Sequence, residues 1–211
     1  MSYKNALEKK YPYMQGKIFN NYLGYTDKID NMKQKEINTP INIVFGGSMG
    51  FLQAPEILAE AANGLNDIRI IYIGDWKKNQ NLNKYVNSNY VKLVDALGFD
   101  DFADYMLRNA DIGFVSLKGQ VSKLCIPYKF YELINFGVPV LAAIDGDLKK
   151  IIENNEYGVV SEYNTSSLRD AIVKMTNKKD LLKYKNNILK DRTNWSAEKQ
   201  IDVLINIIEN L

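Results

Sequence analysis

The chain has 211 residues, 46% of them apolar and 25% charged, the composition of a globular domain and not of a disordered or fibrous chain. Cys125 is the only cysteine and there is no histidine, which excludes an internal disulfide, a Ser-His-Asp triad, a histidine general base and the usual histidine-rich metal sites. A net charge of +2 argues against nucleic acid as a partner, and no apolar run approaches the roughly 18 residues of a membrane-spanning helix.

Residues 1–5 open without the apolar region of a signal peptide, so a reducing, cytoplasmic location is expected. Charge is unevenly spread. Residues 1–39 carry seven lysines against four acids, and residues 165–199 carry nine Lys/Arg against four acids, around an acidic middle. Such basic ends are either solvated helix faces or an attraction to an anionic membrane surface or a phosphate-bearing acceptor.

Residues 1–39 are rich in Tyr, Lys and Asn and show little apolar periodicity. They read as an N-terminal extension, either a tail or the remnant of a preceding domain, with a linker over 33–39. From residue 40 onward, short β-branched runs alternate with helical stretches. A strand over 41–45 runs into the glycine cluster Gly46-Gly47-Ser48-Met49-Gly50, and a helix follows over 54–65 with Ile57, Leu58, Ala61, Ala62 and Leu65 on one face. Strands over 68–73 and 91–94 bracket a helix over 80–87. A helix over 101–109 leads to a strand over 112–117. A helix over 127–136 is stopped by Gly137 and followed by a strand over 138–142. A short helix over 148–154, a strand from 158 and helices over 166–175, 179–190 and 197–208 complete the chain.

This alternation predicts an α/β, Rossmann-like three-layer domain over 40–195, with about six parallel strands covered on both faces, and a C-terminal helix within 196–211. Ligands of such sheets bind at the carboxyl ends of the strands, which directs attention to the loops 46–53, 74–79, 95–100, 117–128 and 143–147.

Two of those loops hold the main chemistry. The cluster Gly46, Gly47, Ser48 and Gly50 lies between a strand and a helix. It either cradles a phosphate on backbone N–H groups and the helix N-terminus or only makes a tight turn. It lacks the Gly-Lys-Ser/Thr of a P-loop and the spacing of the dinucleotide fingerprint.

The second segment is Pro127-Tyr128-Lys129-Phe130-Tyr131-Glu132, continuing to Gly137-Val138-Pro139-Val140. Pro127 suits a helix start. Lys129 in the first turn opposes the helix dipole, a small cost that makes sense if an anion sits there. Glu132, three residues on, neighbours Lys129 on the helix surface, so the two are either an i,i+3 salt bridge or a phosphate-binding cation beside a carboxylate that accepts from sugar hydroxyls. Asp145-Gly146-Asp147 resembles a D-x-D metal motif. Turn chemistry explains Asp145-Gly146, and helix capping explains Asp147. Cys125, between Leu124 and Ile126, reads as a buried, inert thiol.

From Ile41 onward the sequence resembles the C-terminal, donor-binding half of family-4, GT-B-fold glycosyltransferases. The resemblance is carried by 44–53 (Val-Phe-Gly-Gly-Ser-Met-Gly-Phe-Leu-Gln), by Asn109-Ala110-Asp111-Ile112-Gly113-Phe114-Val115, and by Pro127-x-Lys129-x-x-Glu132 with Gly137-x-Pro139-Val140. The last is similar to the signature of a bacterial surface-polysaccharide subgroup that includes aminosugar transferases.

The resemblance implies a hexosyltransferase acting with retention on a UDP- or GDP-sugar and a saccharide or lipid-linked acceptor of cell-envelope polysaccharide synthesis, with no metal or other cofactor. It implies donor contacts from Gly46, Gly47, Ser48, Gly50, Pro127 and Tyr128. Glu132 would meet the ribose hydroxyls, Lys129 would neutralise the departing diphosphate, and the loop 97–102 would lie near the base.

The sequence departs from the wider family in three places. Leu124 stands where a first glutamate is usual, eight residues before Glu132, and Ser48 and Gln53 stand where Arg and Lys are usual. Weight therefore shifts onto Lys129. The resemblance also implies an N-terminal half, supplied by a preceding domain or a partner subunit, without which the chain alone is inactive. Residues 17–22 resemble that half's last strand and turn, and the final helix resembles the one that crosses back toward it.

Overall fold

A computed structural model of the chain describes residues 3–19, 21–26, 29 and 35–210. Part of the expected linker (Lys33 and Gln34) and Asn20 of the expected strand and turn lie outside them. The N-terminal segment opens with helix α1 (Tyr3–Lys10). The domain proper then runs β1 (Ile41–Gly46), α2 (Glu56–Ala62), β2 (Ile68–Ile73), α3 (Gln80–Asn83), β3 (Val91–Val94) and α4 (Phe99–Asn109). It continues through β4 (Ile112–Ser116), α5 (Tyr128–Asn135), β5 (Val140–Ala143), α6 (Asp147–Asn154), β6 (Gly158–Ser161), α7 (Thr165–Met175), α8 (Lys178–Asp191) and α9 (Ala197–Glu209).

The six strands form one parallel sheet in the order β3-β2-β1-β4-β5-β6. Their apolar runs are long because both faces are covered, and successive residues alternate between two cores. Val44, Ile71, Ile73, Val115, Val140 and Ala142 pack with α4, α5 and α6 on one side. Ile43, Phe45, Ile70, Tyr72, Phe114 and Leu141 pack with α2, α7 and α8 on the other. The expected Rossmann-like three-layer architecture is therefore the observed one.

The chain builds β1 to β3 outward, then returns to place β4 beside β1. This reversal is a topological switch point, where a crevice opens between crossovers that leave in opposite directions. The β1–β4 pairing is short, confined to Ile43 with Ile112 and Val44 with Gly113. Beyond it the carboxyl ends of the two strands are not paired with each other.

Several boundaries move from the sequence expectation. The helix expected over 54–65 is only α2, because Ala54 sits at φ +33° and Pro55 occupies the cap. The helix expected over 80–87 ends at Asn83. The start of β5 shifts to Val140, since Val138 N–H already donates to Leu133 O at the end of α5. Gly146, not Asp147, is the N-cap of α6, with Asp147 in its first turn.

Part of the N-terminal segment is tied to the domain, at Tyr25 and Lys35. Tyr25 is 2% exposed. Its N–H donates to Trp195 O, and its carbonyl accepts from Ala197 N–H. Lys35 pairs with buried Asp111, which also accepts from Asn42 N–H at 2.8 Å. No strand forms over the described part of 17–22.

The basic C-terminal stretch is partly committed to the fold as well. Arg169 donates to Ala61 O and Asn63 O, Lys183 pairs with Glu156, Lys185 donates to Lys35 O and Arg192 to Ile29 O. Four of the cations behind the membrane reading thus have intramolecular work. No helix among the described residues is long and apolar enough to cross a membrane.

Candidate functional site

A cavity of about 610 Å³ opens at the switch point. Its floor is the turn after β1. Gly47 adopts φ +95°, a backbone conformation that favours glycine, and a Cβ there would crowd Lys129 Nζ at 3.0 Å. The rest of the loop is tied to β4: Ser116 Oγ donates to Gln53 O, and Lys118 N–H donates to Leu52 O at 2.8 Å.

Helix α5 supplies the charged wall. Phe130, Leu133 and Ile134 point inward, and α5 lies flush on β4 because Gly113 has no side chain. A Cβ at Gly113 would stand 2.2 Å from Leu133 Cδ2. With that face fixed, Lys129 and Glu132 occupy the flank above the carboxyl end of the sheet, and both line the cavity.

The Lys129 ammonium lies 5.0 Å from the centroid of the Phe45 ring, a cation–π contact. Burial lowers its pKa below the usual lysine value, opposed by the nearby Glu132 charge. Burial raises the Glu132 pKa, opposed by Lys129. Among the described residues no ion pair within 4.0 Å joins the two. The simple i,i+3 salt bridge is therefore not formed. Two half-buried opposite charges are held apart, each with unused hydrogen-bonding capacity turned to the cavity. Such groups cost stability and are characteristic of sites that complete themselves on a ligand.

Of the residues expected at the site, Gly46, Gly47, Pro127, Tyr128, Lys129 and Glu132 line the cavity, whereas Ser48 and Gly50 stand on the same loop outside its wall. The N-terminus of α2 does not reach the cavity either. Its first-turn Glu56 accepts from Asn79 and Asn81 instead.

The region expected near a base does contribute. Leu97, Phe99 and Phe102 form an apolar wall with Ile73, and Leu97 and Phe99 are solvent-exposed at the lip. The signals for it were the family resemblance and the loop's position at the carboxyl end of β3. Gln53, Val121 and Cys125 were not singled out as lining residues. Cys125 is exposed rather than buried. Its thiol donates to Val121 O, and desolvation raises its pKa, which leaves it a poor nucleophile. Asp111 of the resembling Asn109-Ala110-Asp111 segment is buried at the opposite end of β4, holding Asn42 and Lys35.

An open, doubly wound parallel sheet with its cavity at the switch point defines a Rossmann-type α/β domain. Residues 40–178 match the family model of glycosyl transferases group 1, and the chain belongs to that family. No curated protein sequence matches it.

Among solved structures it is similar to HepE of Anabaena in complex with UDP and glucose, with a TM-score of 0.65 and 14% identity over 81% of this chain and 48% of that one. A glycosyltransferase of Rickettsia africae gives 0.64 and 17% over 81% and 47%. WaaG, a glycosyltransferase involved in lipopolysaccharide biosynthesis, gives 0.59 and 16% over 79% and 48%. The likeness is one of fold, the GT-B architecture, and the chain spans about half the length of these structures, as expected of a C-terminal half.

Proposed function

We propose that the chain is the nucleotide-sugar-binding half of a glycosyltransferase, which moves a hexosyl group from a UDP- or GDP-sugar to a saccharide or lipid-linked acceptor with retention at the anomeric carbon. The observation that carries this reading is the pair Lys129 and Glu132, half-buried, unpaired and aimed into the switch-point cavity. Glu132 would accept from the vicinal ribose hydroxyls through its two oxygens. The Gly46–Gly47 turn, which lines the cavity beside Lys129, would face the diphosphate. As the bond from the anomeric carbon to the diphosphate breaks, negative charge grows on the leaving oxygen, and the Lys129 ammonium would neutralise it. This is stabilisation of the kind that dominates many enzymes' rate enhancement.

HepE, bound to UDP and glucose, supports a nucleotide-sugar as donor, and WaaG, involved in lipopolysaccharide biosynthesis, supports an envelope saccharide as acceptor. The reaction would proceed without a metal cofactor, in the cytoplasm at the inner face of the membrane.

The test is calorimetric titration of the chain with UDP and GDP, with and without Mg²⁺, beside Glu132→Ala. Loss of charge-assisted hydrogen bonds worth roughly 1.5–3 kcal/mol should weaken binding about tenfold or more. Unchanged affinity in a folded variant would remove Glu132 from the site.

A second feature bears on completeness. Ile201, Leu204, Ile205 and Ile208 make an apolar stripe along α9 at 40–61% exposure, far more than a helix leaves bare without a partner. It would receive the N-terminal half or a separate subunit. Were the chain a donor-binding subunit of a split enzyme, activity would emerge only on mixing, and Ile205→Asp would abolish it while leaving UDP binding intact.

A further inference from the structure

Lys129 and Glu132 are the charged side chains that line the switch-point cavity, and their charges cancel. A nucleoside diphosphate carries negative charge on both phosphates. One ammonium beside one carboxylate leaves most of that charge uncompensated, and apolar walls such as Leu52, Ile73 and Phe102 screen it poorly. Binding such a ligand calls for a further cation at the rim.

The chain supplies one where β4 runs out. Ser116 Oγ donates to Gln53 O, and Lys118 N–H donates to Leu52 O at 2.8 Å, so residues 116–118 lie alongside the end of the glycine loop. Leu52, Gln53, Ser116 and Leu117 all line the cavity, which sets the Lys118 backbone at its rim. The Lys118 side chain is exposed and crosses to the loop, where its ammonium lies 4.7 Å from the centroid of the Phe51 ring. Phe51 is itself 78% exposed, so this is a surface cation–π contact.

Lys118 differs from the lysines on the neighbouring loops. Lys77 and Lys78 pair with Asp95 and Asp75 at 2.8 and 2.7 Å, and Lys123 faces Asp145 at 3.8 Å. Among the described residues no carboxylate lies within 4.0 Å of the Lys118 ammonium. An exposed cation–π contact is weaker than a charge-assisted hydrogen bond to phosphate. The four-carbon stem of lysine is flexible, so this ammonium can leave the ring for an anion without breaking an ion pair.

We propose that Lys118 is a second phosphate-binding cation of the switch-point cavity: it rests on Phe51 and turns onto the diphosphate when the nucleotide enters. This role rests on the donor reading of the cavity. Lys129 comes from the start of α5 and Lys118 from the end of β4, so the diphosphate would be held from two separate elements.

The test is calorimetric titration of wild-type, Lys118→Met and Lys118→Arg with UDP, UMP and uridine, or with the guanine series if GDP binds instead. Lys118→Met should weaken diphosphate binding at least about fivefold, change nucleoside binding by less than about twofold, and be rescued by Lys118→Arg. In acetic anhydride labelling read by mass spectrometry, the diphosphate should protect Lys118 and leave Lys78 unprotected. Full diphosphate affinity in the Met variant, an equal loss for the nucleoside, or a Lys118 that labels at the same rate with ligand bound would overturn the proposal and leave the donor reading standing. A wild-type chain that takes neither UDP nor GDP would reject the donor reading and this role with it.

Discussion

Replacing Lys129 by Met removes one charge and keeps most of the stem that packs on Phe45. The ammonium is desolvated and has no carboxylate in ion-pair contact among the described residues, so in the empty protein it is a liability. With a diphosphate beside it, the same group makes charge-assisted hydrogen bonds worth roughly 1.5–3 kcal/mol. Lys129→Met should therefore weaken UDP binding about 10- to 150-fold and leave uridine binding, which lacks the phosphates, within about twofold.

Stability should move the other way. Because the folded pKa lies below the unfolded value, the unfolded chain binds more protons between the two, and the wild-type gains stability as pH rises through that window. The variant should lose this slope and melt no lower than wild-type at pH 7. The wild-type's UDP affinity should fall as pH rises past the lowered pKa, and binding inside the window should take up protons, seen as a dependence of calorimetric heat on buffer ionisation. Calorimetry and thermal unfolding of the two proteins decide it. Equal UDP affinity, or a variant destabilised by more than about 1 kcal/mol, would refute the assignment, since a merely structural lysine behaves that way.

Glu132 shows the mirror-image linkage. Its raised pKa means that the folded state holds the proton longer, so its contribution to stability falls as pH rises from the ordinary carboxylate range through the raised value. Glu132→Gln should flatten that slope in pH-dependent denaturation. Gly47→Ala forces a Cβ at φ +95° and 3.0 Å from Lys129 Nζ. It should cost about 1–2 kcal/mol in denaturant titration and weaken UDP binding by displacing the lysine. Asp111→Ala strips partners from Lys35 and from Asn42 N–H. It should cost about 3 kcal/mol and make residues 35–40 newly sensitive to limited proteolysis, with the switch-point cavity unaltered in a variant that remains folded.

The strands were legible because each is an apolar run buried on both faces: Ile68–Ile73 and Val91–Val94 stand where the runs place them. The crossovers fixed the parallel sheet, since strands joined by helices can pair in few other ways. The α5 segment was legible for a related reason. Phe130, Leu133 and Ile134 define an inward face, which leaves Lys129 and Glu132 on one flank whatever the rest of the fold does.

Other features were not local. Sequence spacing left Lys129–Glu132 as either a salt bridge or a pair of ligand-binding groups. Only the packing of α5 on Gly113, with Lys129 over Phe45 and above Gly47, holds the two charges apart. The N-terminal segment lacks periodicity because its anchors are single contacts far away in the chain, Tyr25 at Trp195 and Lys35 at Asp111. Periodicity determines which face of an element is buried. Which exposed groups meet one another is settled by strand order, and that is a property of the whole chain.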